Sequence, residues 1–460
     1  MMITITSVDS IRNLPATALF GDTLIIYFTF AAFSFLLPCA LAAAELSASM
    51  PETGGVYLWI KTAFGKRLGL LAIWFQWIEN IIWYPTILAF IAGTLAYIFS
   101  PELAANRYFL FAVIVITFWL LTFLNLFGIQ SSAWFSEFCG IAGLLIPMTL
   151  VIVLGLTWYF SADTLQSKII PHNFGKAFSD PSLLLSLTAV FLTFSGVEIA
   201  TVHASDVKNP QRDYPLALVL SVVIIYVTML LGSLSIAITV PHNELNLVAG
   251  IMQSFEIFFR SYQLTWFSPF LGLAIIIGTI GSISNWIISP SRGLLVALQD
   301  EDLMPVLQKT NKYDSPQALL IMQAFLVTGM SLIFLFMPTV NSSYWLLTVL
   351  AAQLYMLMYI IMFAAVIYLR IKQPDMHRPF KIPGGMIGVF ITVGLGIFSS
   401  SLTFVIGFIP LEGISDRLRD NYELLICSSL ILMSCPPFLF HWWSRVKHRS
   451  KKIRSKGINA

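Results

Sequence analysis

The sequence predicts an all-α polytopic membrane protein with about 12 transmembrane helices. Three observations predict it. Of the 460 residues, 57% are hydrophobic and only 11% charged, and mean hydropathy is +0.82. Apolar runs recur at close to the roughly 20 residues that an α-helix needs to cross a bilayer. The polar stretches between them are loops of at most about 15–25 residues, which leaves no room for a large soluble domain.

Each span has a recognisable boundary. Span 1, 1–20, contains the polar run Ser7-Val8-Asp9-Ser10-Ile11-Arg12-Asn13-Leu14-Pro15. Span 2, 23–49, stops at Pro51-Glu52-Thr53-Gly54-Gly55; span 3, 69–99, follows Lys66-Arg67 and stops at Pro101. Spans 4 and 5, 108–128 and 134–160, are bounded by Arg107, Gly128 and the polar Ser161-Ala162-Asp163. Span 6, 183–204, holds Phe194-Ser195-Gly196-Val197-Glu198. Span 7, 216–240, lies between Pro215 and Pro241, and span 8, 266–290, ends at Pro290. Spans 9 and 10, 317–337 and 343–369, are framed by Pro316, Pro338 and Arg370. Span 11, 386–410, runs from Gly384-Gly385 to Pro410, and span 12, 422–443, precedes a short basic tail, 444–460.

Spans 1 and 6 are broken in the same way. In lipid every backbone polar group needs an internal partner, so a break at mid-membrane depth is tolerated only inside protein or beside a water-filled cavity. Matched breaks in two halves point to the binding site of a secondary transporter. Spans 1–5 and 6–10, about 1–160 and 183–369, then form inverted halves, because five is odd and the second half enters from the opposite side. Spans 11 and 12 lie outside the repeat, and 1–443 forms one transmembrane domain. About eight residues, roughly 12 Å of helix, precede the first break where half a bilayer needs about ten, so a start upstream is expected.

The placement of charge sets the orientation. Of 26 Lys and Arg residues, nineteen fall in the loop after span 2, the other loops on that side and the tail. Six fall on the opposite side, and Arg12 lies within a span. The positive-inside rule places both termini in the cytoplasm. The tail, Arg445 to Lys456, is suited to anionic lipid. Cys39, Cys139, Cys427 and Cys435 all fall in spans and are expected to be buried thiols. Residues 241–265 are expected to form a short external amphipathic helix, and 299–316, with Asp300-Glu301-Asp302, a solvated internal loop.

Several motifs resemble a known family. Glu45-Leu46 followed by Pro51-Glu52-Thr53-Gly54-Gly55-Val56-Tyr57-Leu58-Trp59 is similar to the second-helix signature of the amino acid–polyamine–organocation superfamily. Ser195-Gly196-Val197-Glu198 with Asn209-Pro210-Gln211-Arg212-Asp213-Tyr214-Pro215 resembles its sixth-helix signature, and Trp286-Ile287-Ile288-Ser289-Pro290-Ser291-Arg292-Gly293 its eighth. Pro241-His242-Asn243-Glu244-Leu245-Asn246-Leu247, Arg378-Pro379-Phe380-Lys381-Ile382-Pro383-Gly384-Gly385 and the Tyr355/Tyr359 pair narrow the match to the bacterial glutamate/γ-aminobutyrate antiporters. The resemblance spans about Ser7 to Trp443. It implies a LeuT-type fold, with a 5+5 inverted repeat and discontinuous helices 1 and 6. It also implies exchange of glutamate or a related amino acid for γ-aminobutyrate or another amine across a bacterial inner membrane, coupled to a cytoplasmic amino acid decarboxylase. The alternatives are a proton-coupled uptake permease and a non-transporting amino acid sensor. The chain departs from the family in four places. Val8-Asp9-Ser10 replaces a glycine-serine-glycine turn, Ser282 stands where the glutamate-exchanging branch carries a carboxylate, Glu137 falls near a common Lys, and the tail is short.

The candidate site follows from these breaks. Free amides and carbonyls at a helix break match the α-carboxylate and α-ammonium of an amino acid. Asp9, Ser10 and Ile11 in span 1 and Phe194, Ser195 and Gly196 in span 6 are placed on the substrate backbone. Intramembrane charges are functional by default. Arg12, with its planar fork, suits a substrate carboxylate, or it pairs with Asp9 to close the break. Glu198 is a candidate gate and proton site, or a partner for the amides of the break. Glu79 is expected to bind the substrate amine or pair with Arg12, and with Glu198 and Glu137 it is a candidate for gating or proton coupling. Glu137 is a candidate for a cation or proton, or a solvated residue near the cytoplasmic entry. Ser282, Trp286, Tyr355 and Tyr359 complete the pocket and gates, and Glu45 is read as structural. The sequence has no Gly-rich phosphate loop, paired-His zinc motif or Gly-x-Ser-x-Gly elbow, so no enzyme, cofactor or metal site is expected. The expected partners are amino acids and the lipid bilayer, with no nucleic acid.

Overall fold

The computed structural model describes residues 10–50, 54–127, 139–160, 181–199, 210–410 and 419–442, and these contain helices and no strand. In chain order the helices are α1 (Leu14–Ala18), α2 (Leu24–Ser49), α3 (Gly55–Phe64), α4 (Lys66–Phe99), α5 (Arg107–Leu126), α6 (Ile141–Phe160), α7 (Pro181–Thr193), α8 (Pro210–Ala237), α9 (Gly250–Ser261), α10 (Thr265–Asp300), α11 (Gln317–Phe336), α12 (Val340–Lys372), α13 (Gly385–Ile406) and α14 (Tyr422–Trp442). All but α1, α3, α7 and α9 are long and apolar enough to cross a membrane, which makes ten. With α1 and α7 as the two broken spans, the described residues account for all 12.

Burial sorts the helices. The apolar windows of α4 and α12 are 78% and 72% buried, against 17% for α14, so α4 and α12 form the core and α14 the lipid rim. α4 packs along both α12 and α10. Its 34 residues measure about 51 Å, well beyond the hydrocarbon thickness, so it crosses the bilayer tilted.

α4 and α10 each carry an interior proline, Pro85 and Pro290. A proline offers no N–H to the carbonyl four residues earlier. For Pro290 that carbonyl belongs to Trp286, and the Tyr84 hydroxyl donates to it at 2.8 Å. The residue before one proline thus fills the gap left by the other and fixes Trp286 against α4. α2 and α6 each contain a π-helical turn, Ala32–Leu36 and Ile141–Leu145, a feature that recurs at functional sites. The first sets Phe35 against Tyr359, ring centres 5.0 Å apart. The second brings Gly143 onto Gly278 of α10, where a Cβ on Gly143 would lie 2.2 Å from the Gly278 Cα. Only small residues permit so close a crossing.

Three local expectations meet different outcomes. α9 forms in the 241–265 stretch, but its Ile251, Phe255 and Phe258 are buried in protein and do not lie on lipid. Asp300 is not simply solvated. It takes Lys61 at 2.6 Å, Lys66 at 3.0 Å and the Tyr57 hydroxyl at 2.5 Å, tying α3 to the end of α10. Burial, with Asp300 adding to it, holds the Tyr57 hydroxyl well above the ordinary phenol range. Cys39 and Cys139 are buried, whereas Cys435 is half-buried and Cys427 exposed because both sit on the peripheral α14.

Candidate functional site

At the first break Ser10 is extended (φ −140°, ψ 110°), a 3₁₀ turn covers Ile11–Asn13, and α1 follows with Pro15 in its first turn. Proline is favoured there because its missing N–H has no intrahelical partner to lose. Asp9 and Glu137 lie outside the described residues. Arg12 is only 2% exposed. Its guanidinium donates to Thr86 Oγ1 at 2.6 Å and lies over the rings of Trp83 (5.1 Å) and Tyr344 (5.9 Å). Its Nε has no hydrogen-bond partner, and no carboxylate of the described residues pairs with it.

Arg12 opens onto a cavity of about 50 Å³, lined also by Ser10, Ile11, Trp83, Thr279, Ser282 and Trp286. Trp83 and Trp286 close one wall, ring centres 5.3 Å apart. The cavity is well below the roughly 300–1,000 Å³ of a small-molecule site, so a substrate has to widen it.

At the second break α7 ends at Thr193 and the chain turns at Gly196, φ +100°. That conformation is open to glycine and strained for any residue with a Cβ. A 3₁₀ turn over 197–199 then presents Glu198. The Gly196 N–H donates to the Tyr359 hydroxyl at 2.7 Å, and Tyr359 donates onward to Glu198 at 2.6 Å. Tyr355 donates to the other carboxylate oxygen, as does Gln76 Nε2 at 3.2 Å. Three donors converge on Glu198, an arrangement that suits a carboxylate. Ser195 Oγ donates back to the Phe191 carbonyl at 2.9 Å, and Phe194 packs edge-on against Phe28 at 5.3 Å. Gly196→Ala is expected to cost about 1–3 kcal/mol through backbone strain. A lower melting temperature together with lost transport is the expected readout.

The predicted residues therefore fall into two clusters. Ser10, Ile11, Arg12, Ser282 and Trp286 line the cavity, whereas Gly196, Glu198, Tyr355 and Tyr359 form a separate buried network, and Ser195 and Phe194 precede it in the chain and bond or pack elsewhere. Glu79 lies between them on α4, 2% exposed, with no ion pair to Arg12 and no partner for Oε2 among the described residues. The option of an Arg12–Glu79 pair is thus not realised. Desolvation favours such a pair only with close, well-formed geometry, and Trp83 and Thr86 take the guanidinium instead. Sequence reasoning missed Gln76, Thr86 and Tyr344. The spacing carries a signal for two of them: Gln76, Glu79, Trp83 and Thr86 recur at three- and four-residue intervals, one face of a helix. Among the described residues no three His, Cys, Asp or Glu side chains gather as metal ligands.

Comparison with known proteins is consistent across the chain. The amino acid permease family model matches residues 1–435. An uncharacterised transporter of Legionella pneumophila is 41% identical over 440 residues, covering 96% of this chain and 95% of the relative. A glutamate/γ-aminobutyrate antiporter of Lactococcus lactis is 28% identical over 444 residues, covering 95% and 88%. A probable agmatine/putrescine antiporter of the same species is 24% identical over 407 residues, covering 87% and 84%. With its helices, its paired breaks and a match over nearly its whole length, the chain is a multi-pass membrane transporter, not an enzyme, and belongs to the amino acid permease family of the amino acid–polyamine–organocation superfamily.

Proposed function

We propose that this transporter exchanges glutamate or a close relative for γ-aminobutyrate or another amino acid or amine, by alternating access. One observation carries the substrate class: the Arg12 guanidinium faces the cavity with no carboxylate of the described residues upon it. A buried guanidinium attracts an acidic side chain and repels a diamine. The reading therefore follows the relative named for glutamate and γ-aminobutyrate, not the one named for agmatine and putrescine. Ser10 and Ile11, with Ser195 and Gly196 across the breaks, would take the α-groups once the cavity widens. Glu198 with Tyr355 and Tyr359, and Trp286 over Trp83, would act as gates, and Asp9 and Glu137 complete the proposed set.

The same reading places the protein in a bacterial inner membrane with both termini cytoplasmic and two inverted halves, about 1–160 and 183–369. Coupled to a cytoplasmic decarboxylase, such exchange consumes internal protons. The test is uptake of radiolabelled glutamate into proteoliposomes, empty or preloaded with glutamate, γ-aminobutyrate or other amino acids. Uptake only into preloaded vesicles supports exchange. Proton-driven uptake into empty vesicles replaces it with a permease, and binding without flux with a sensor.

A further inference from the structure

We infer that Tyr84 is a positioning residue for the Trp286 gate: from outside the cavity, its hydroxyl holds the α10 backbone so that the Trp83–Trp286 wall is in place before a substrate arrives. This deepens the reading of Trp286 as a gate and rests on it. Trp286 is among the residues lining the cavity and Tyr84 is not. Tyr84 lies behind the wall, fully buried, its ring 5.7 Å from that of Trp83 and 5.0 Å from that of Phe118 on α5. Its hydroxyl donates at 2.8 Å to the Trp286 carbonyl, the one that Pro290 leaves without an intrahelical N–H.

α4 holds α10 at a second point, beyond the proline. Trp77, about two turns before Tyr84 on the same face of α4, donates its indole N–H to Ser291 Oγ at 3.3 Å, and Ser291 donates to Gln323 of α11 at 2.9 Å. The two tethers flank Pro290, where a helix bends most easily. The Trp77 tether ends on a side chain that α11 also holds, whereas the Tyr84 tether ends on the backbone of the gate residue itself. A substrate has to widen the cavity of about 50 Å³, so Trp286 has to leave its place and return to it. With its carbonyl held, that movement is a turn of the side chain about a fixed backbone. Without the bond, α10 bends at Pro290 and Trp286 takes several positions. Ordering it then draws on the binding energy of the substrate, the cost that preorganisation removes. The orphaned carbonyl also lowers stability, but that cost falls on empty and loaded protein alike and leaves affinity unchanged.

The test is the KM and maximal rate of glutamate exchange into preloaded proteoliposomes. Tyr84→Phe, which removes only the hydroxyl, is expected to raise KM about 3- to 10-fold, the range for one side chain ordered on binding. A lower melting temperature and maximal rate with KM unchanged marks a merely structural tyrosine and overturns the inference. Pro290→Ala supplies the missing N–H, so in that background Tyr84→Phe is expected to leave KM where Pro290→Ala alone puts it. A rise in KM there as large as in the native background means that Tyr84 does not act through the carbonyl, and overturns the inference. Should Tyr84→Phe alone fail to fold, folding restored by Pro290→Ala supports the inference and folding still lost overturns it. An unchanged KM in Tyr84→Phe beside a raised one in Trp286→Phe overturns the inference alone, whereas an unchanged KM in both takes the gate reading with it. If wild type exchanges no glutamate, the substrate reading fails, and acrylamide quenching of Trp286 in the substrate-free protein decides, measured as the difference from each variant's Trp286→Phe form. More quenching in Tyr84→Phe, reversed by Pro290→Ala, supports the inference, and equal quenching overturns it.

Discussion

Replacing Arg12 with glutamine is expected to lower glutamate exchange by about 100-fold or more while the melting temperature holds or rises. Truncating one partner of a buried charge pair costs about 2–5 kcal/mol, and each 1.4 kcal/mol is about tenfold. The substrate carboxylate is that partner here, because no carboxylate of the described residues occupies the guanidinium. Among the described residues, this buried cation contributes to folding only through its contacts with Thr86, Trp83 and Tyr344. A glutamine amide can still donate to Thr86 and removes the burden of the charge. This split between function and stability is the behaviour of a binding residue held at the expense of stability. A structural arginine would show the reverse, with melting and exchange falling together. Arg12→Lys keeps the charge but loses the fork, and intermediate exchange is expected. Uptake into preloaded vesicles and thermal melts on the same purified protein check both quantities.

The residues that define this site were legible to different degrees for identifiable reasons. Both breaks showed in the sequence because serine, glycine and charge interrupt apolar runs, and Gly196 does adopt a backbone that other residues avoid. The Tyr355/Tyr359 pair was legible as one face of a helix, and it does converge on Glu198. Span 8 was read as ending at Pro290, yet α10 continues to Asp300. An interior proline can kink a helix without ending it, and here Tyr84, distant in sequence, donates to the carbonyl that Pro290 orphans. The separation of the cavity from the Glu198 network was not legible either. It depends on how α4 lies between α1, α10 and α12, and no local spacing rule ties Arg12 to Thr86 or Tyr344.

Glu45→Ala is expected to destabilise the protein by about 3–5 kcal/mol, the cost of stripping the counter-charge from a buried ion cluster. Glu45, on α2, takes the Arg370 fork through Nε at 2.5 Å and a terminal nitrogen at 2.6 Å. Arg378 Nε lies 3.5 Å from the same carboxylate, and the Ile382 N–H donates to it at 2.8 Å. The other Arg378 nitrogens donate to the carbonyls of Leu369, Gln373, Pro374 and Met376. One carboxylate thus neutralises two arginines and organises the loop between α12 and α13. Burial pulls the Arg378 guanidinium below its ordinary value, and Glu45 pushes it back. Without Glu45 two buried cations face each other and an amide is orphaned. If that repulsion is the cause, adding Arg370→Met to Glu45→Ala should recover part of the loss, because removing both partners of a buried pair is far less damaging than removing one. A double variant as unstable as the sum of the singles would instead mean that each side chain supports the fold independently. Thermal melts of the two single variants and the double variant separate these outcomes.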